Sequence, residues 1–175
     1  MWNALPAGVR SWALLGVAVF TAAAMTQAAP AIDGKSIAPR IGAFELAGTP
    51  QRSQAILDAW GARGRAAAHR SLYFDFAFLA GYAVLLNLLC GWAGGVFATP
   101  ALQRVATVLA PLQLVAGCLD ALENVALLAI LRTAPTPFLT ASAAACSATK
   151  FFLAGLGVLF IVAAALTALW RLIAA

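Results

Sequence analysis

Asp120, Glu123 and Asn124 stand within five residues of one another in "GCLDALENVALLAIL", a run otherwise apolar enough to lie in lipid. At roughly 100° per residue they share one side of a helix, and Gln113, about two turns earlier, falls on the same stripe. Ala121, Val125 and Leu128 face elsewhere. A carboxylate exposed to lipid costs about 2.5–3.5 kcal/mol on insertion scales, so the stripe is expected to turn toward protein.

Other chemistry-bearing residues reach the same depth from other parts of the chain. Asp75 lies about one turn beyond Leu72, where an apolar run begins, and Tyr82 follows on the same helical side. Lys150 opens the last apolar run. At about 1.5 Å per residue, Glu123 is roughly 13 Å inward from Arg132. The candidate binding site is therefore Asp75, Asp120, Glu123, Asn124, Lys150, Tyr82 and Gln113.

Such a set supports more than one chemistry. Lys150 could neutralise one carboxylate while the amides make interhelical hydrogen bonds that orient more than they stabilise. Three carboxylates against one lysine leave negative charge over, even with Arg132 counted, and a purely structural site has no use for it. Binding of a cation, a proton or a lipid headgroup would use that surplus. One alternative is an intramembrane enzyme acting on lipid, with Glu123 or Asp75 as general base. Another is a scaffold subunit whose polar stripe pairs with a second membrane protein.

No residue is assigned a catalytic role, because no nucleophile elbow, zinc-protease, P-loop or dinucleotide motif occurs. No cofactor or metal is expected. His69 is the single histidine, which excludes a bis-histidine haem. Cys90, Cys118 and Cys146 are far apart, without the spacing of a zinc site or redox pair, and read as small apolar residues in helix contacts.

These residues need elements to carry them, and composition says which. Hydrophobic residues form 63% of the 175 and charged residues 10%, with a mean hydropathy of +0.92. A soluble domain carries about 25% charged residues, so lipid must be most of this chain's solvent. The length suits a single membrane domain. Four apolar stretches approach the roughly 20 residues that cross a bilayer: 11–29, 72–92, 105–131 and 151–170. The fold class expected is an all-α integral membrane protein, a four-transmembrane-helix bundle. Trp12, Trp92 and Trp170 then mark one membrane face, face A.

Thr-Pro occurs at Thr49-Pro50, Thr99-Pro100 and Thr136-Pro137, each ahead of one of the last three spans. Threonine as N-cap with proline at the first helical position predicts three helix starts, the last projecting beyond the bilayer at the opposite face, face B. Pro111 should kink the third span, with Thr107 relieving a freed carbonyl. Residues 30–71 form the extramembrane segment. Within it "QRSQAILDAWGARGRAAAHR" groups Ile56, Leu57 and Trp60 on one side, which predicts an interfacial amphipathic helix that Gly61 and Gly64 let bend.

The formal charge is +5, and no basic run is interleaved with aromatics, so nucleic acid is not an expected partner. Membrane lipid is. A bundle of four helices without an internal repeat would transport only as a homo-oligomer or beside a partner subunit. Face B carries Lys35, Arg40, Arg52, Arg63, Arg65, Arg70, Arg132 and Lys150, eight of the 11 cations. The positive-inside rule puts that face in the cytoplasm and both termini outside, in a bacterial inner (plasma) membrane. Arg10, the apolar run after it and Ala29-Pro30-Ala31 resemble a signal sequence, which argues for the opposite orientation.

Overall fold

The computed structural model describes residues 41–174, with Leu15, Val17 and Ala18 from the region before them. Apart from those three helical residues, the expected first span lies outside the described residues, as do the charged stretch through Arg40 and the sidedness of the termini. Among those described, the chain is all-helical. Helix α1 is short, Ile41–Glu45; α2 runs Pro50–Val96, α3 Pro100–Arg132 and α4 Pro137–Ile173. The last three are long and apolar enough to cross a membrane.

All three long helices begin at the Thr-Pro pairs. Thr49 accepts a hydrogen bond from the Arg52 amide at 3.4 Å, and Thr136 accepts one from Leu139 at 3.3 Å. Thr99 holds the N-cap position without a side-chain bond. In each case proline occupies the first turn, where its missing N–H costs nothing.

The segment from 50 to 71, expected as an interfacial helix, leads directly into the second span. It belongs to α2, and the helix breaks at Gly61, whose φ of 58° and ψ of −167° are open to glycine and costly to other residues. Across the break Arg65 Nε donates to the Leu57 carbonyl at 2.9 Å while its guanidinium pairs with Asp58 at 3.0 Å. Ile56, Leu57 and Trp60 do share a side, but they pack on the bundle and on Phe44, whose ring meets Trp60 edge-on at 5.1 Å. Leu57 is buried there, and Ile56 and Trp60 are half-buried.

Pro111, where a kink is expected, lies inside α3, which is helical on both sides of it. The Thr107 hydroxyl donates to the Arg104 carbonyl at 2.7 Å, which is not the carbonyl that Pro111 leaves free.

Helix α3 is the middle of the bundle, packing against both α2 and α4, which also touch each other. Apolar residues gather at the two ends. One cluster joins Phe44, Leu57, Leu72, Leu127, Ile130 and Ala143 at the face B end, and the other joins Ala93, Phe97, Ala106, Phe160 and Ala164 at the face A end. Between them lies the polar layer. Close approach there depends on small residues: a Cβ on Gly117 would stand 2.6 Å from that of Ala83, so no side chain fits between α3 and α2.

Candidate functional site

The stripe read from α3 faces the interior. Gln113, Asp120, Glu123 and Asn124 are 0%, 3%, 0% and 1% exposed, whereas Leu122 and Val125 on the other side are exposed. The helical spacing that groups the four polar residues thus also buries them, and α2 and α4 supply the partners.

Lys150 is the hub. Its Nζ donates to Asp120 Oδ1 at 2.5 Å and lies 2.8 Å from Glu123 Oε2. A third carboxylate, Glu45 of α1, stands 3.9 Å away. The Tyr82 hydroxyl donates to the other Asp120 oxygen at 2.9 Å, so Asp120 takes one proton donor from α4 and one from α2. Asp75 accepts from Asn124 Nδ2 at 2.6 Å, a second bridge between α2 and α3. Six of the seven expected residues therefore form two linked groups, one around Lys150 and one around Asp75.

Gln113 does not join them. Its amide donates to the Leu109 and Leu153 carbonyls at 3.2 Å each and lies against Gly157, where a Cβ would meet it at 2.6 Å. It clamps α3 to α4 deeper in the bundle. Arg132, counted in the sequence reading as a nearby cation, instead donates to the Tyr73 hydroxyl at the exposed rim.

Glu45 is the member the sequence reading passed over. It sits among the charges of a basic segment, but its own surroundings, "IGAFELAG", are apolar, and that contrast was the available signal. Phe44 and Ala47, 1% and 4% exposed, anchor the segment and point Glu45 at Lys150. Burial pushes the Glu45 carboxyl above its ordinary range; Lys150 opposes the rise, and Asp120 and Asp75 add to it.

With Glu45 included, Asp120, Glu123 and Glu45 share one ammonium and Asp75 lies in the linked group beside them, so the charge mismatch exceeds the one read from the sequence. Polar capacity is also left over: Glu123 Oε1 has no hydrogen-bond partner, nor has Ser147 Oγ, one turn before Lys150 on the same side of α4. Both residues are 0% exposed. Among the described residues no three His, Cys, Asp or Glu side chains are grouped to hold a metal ion. Cys90 is buried, with its thiol 3.9 Å from the Gly157 carbonyl. Cys118 is exposed, contrary to the expected helix contact, and Cys146 is half-buried.

The fold and site define an all-helical protein, apolar enough for a membrane, that buries a lysine–carboxylate cluster. No protein-family model, curated protein or solved structure matches the chain.

Proposed function

We propose that the chain is a multi-pass membrane protein whose Lys150 cluster is a proton-binding site near face B. The observation that carries this reading is the excess of carboxylate over cation in a buried place. Three carboxyl groups lie within 3.9 Å of one ammonium, a fourth, Asp75, is bound to the neighbouring Asn124, and Glu123, fully buried, keeps an oxygen without a partner. Leaving all four ionised would strand several negative charges where water cannot solvate them. A proton is the cheapest neutraliser, because carboxyl groups in such surroundings hold one to higher pH.

Lys150 favours the proton over a metal cation as the ligand. Its ammonium already occupies the position between Asp120 and Glu123 that a cation would take. The inward turn of the α3 stripe also favours a site within this chain over a scaffold surface.

Depth supports exchange with one side. Roughly 20 residues of α4 separate Lys150 from Trp170, the span of a bilayer core of about 30 Å. The cluster therefore lies at the face B edge of the hydrocarbon, beneath the apolar cap of Phe44, Leu57 and Leu127.

Potentiometric titration of the protein in lipid nanodiscs tests the proposal. Between about pH 5 and pH 9, beyond the ordinary carboxyl range, the wild-type chain should release more protons than folded Glu123→Gln. Coupled groups share their protons, so the count belongs to the cluster as a whole. Superimposable curves would overturn the reading.

A further inference from the structure

The cluster needs a way to reach water, and its three lysine contacts are unequal. The side chains of Glu123 and Asp120 are 0% and 4% exposed, while that of Glu45 is 14% exposed. Glu45 is also the loosest partner. At 3.9 Å from Nζ it is beyond hydrogen-bond distance, whereas Asp120 and Glu123 stand at 2.5 and 2.8 Å. Its backbone is held by neighbours rather than by the carboxylate itself, with Phe44 buried against Trp60. The side chain is thus positioned at the cluster without being locked into it.

We propose that Glu45 is the carboxylate through which the buried cluster exchanges protons with water at face B, and that Lys150 relays them. This rests on the proton-binding reading above. In the inward step Lys150 Nζ gives one proton to a Glu123 oxygen, and the resulting neutral amine takes the carboxyl proton of Glu45. Lys150 ends as it began, one proton has moved from Glu45 to Glu123, and ionised Glu45 recharges from water. Charge is conserved throughout.

The surrounding groups favour this path over its competitors. Glu45 is faced by Lys150 from α4, by Asp120 and Glu123 from α3 and by Asp75 from α2. Asp75 is also half-exposed, but it leads to Asn124, whose amide carries no exchangeable acid proton at neutral pH. Tyr82 reaches Asp120 from a phenol that loses its proton only near pH 10 in water. Lysine differs from both, since an amine can pass a proton on and take another up, which a guanidinium does not do in proteins. That difference supplies the test.

The experiment follows the carbonyl stretch of protonated carboxyl groups in the full chain in nanodiscs, by rapid-mixing infrared spectroscopy after a pH jump. Glu45→Gln should keep most of the final amplitude while slowing its approach at least tenfold. Lys150→Arg, which retains the positive charge, should slow it similarly, and Glu45→Asp should stay closer to wild type. Wild-type rates in folded Glu45→Gln would overturn the entry role of Glu45. A wild-type rate in Lys150→Arg beside a slow Glu45→Gln would overturn the relay through lysine. If the wild-type chain shows no such band at any pH above the ordinary carboxyl range, the proton-binding reading fails and the relay with it.

Discussion

Lys150 Nζ sits 2.5 Å from Asp120 Oδ1, and this contact ties α4 to α3 inside the bundle. The second oxygen of Asp120 is taken by Tyr82, so one carboxylate joins all three long helices. The pair is not a balanced one, because the same ammonium also serves Glu123 and Glu45.

Removing the lysine should therefore cost more than removing any single carboxylate around it. Lys150→Met leaves Asp120, Glu123 and Glu45 without their cation, and breaking a buried pair costs about 3–5 kcal/mol. Glu123→Gln leaves Lys150 still paired with Asp120 and replaces a proton-holding carboxyl by a neutral amide of the same shape, so its melting temperature should change little. Thermal melting of both variants in the same detergent decides the order. An equal or larger loss in Glu123→Gln would mean that Lys150 and Glu123 form a closed structural pair.

Stability should fall as pH rises through the range in which Glu45 ionises. Its carboxyl is held above the ordinary value by burial, so the folded chain binds that proton more tightly than the unfolded chain does. With more protons bound in the folded state, the slope of unfolding free energy against pH is negative. The Glu45 contribution is complete below the ordinary carboxyl range of about 4.3 and fades through the raised range above it. Glu45→Gln should flatten this part of a melting-temperature profile. An unchanged slope would show that Glu45 titrates as an ordinary surface carboxyl.

The α2–α3 contact beside the cluster should tolerate a methyl group on one side only. A Cβ at Gly117 would meet that of Ala83 at 2.6 Å, so Gly117→Ala should destabilise by about 1–3 kcal/mol through overpacking. Adding Ala83→Gly should restore most of the loss, and melting of the two variants measures the recovery. A double variant no better than the single would place the strain elsewhere.

Helical spacing made much of the site legible before any coordinates. Asp120, Glu123 and Asn124 could share a stripe only by facing inward, and the cost of a charge in lipid decides the direction. The Thr-Pro pairs marked three helix starts for a similar reason, since cap and proline act within a single turn. What stayed hidden depended on long-range packing. Glu45 reaches Lys150 only because α1 folds back over the bundle and buries Phe44, which no local periodicity encodes. Gln113 shows the limit of the stripe argument: it shares the side of Asp120 yet lies deeper, where Gly157 admits its amide to the α4 backbone. Likewise Ile56, Leu57 and Trp60 have the pattern of a lipid-facing helix, and only the tertiary fold reveals protein on that side.

The central claim is that the cluster holds an exchangeable proton at neutral pH, and equilibrium infrared difference spectroscopy across a pH titration measures it most directly. The account predicts a carboxylic-acid carbonyl band that persists well above the ordinary carboxyl range of about 4.3 and is lost or reduced in Glu123→Gln. A chain whose carboxyl bands all disappear within that ordinary range, in wild type and variant alike, would contradict it.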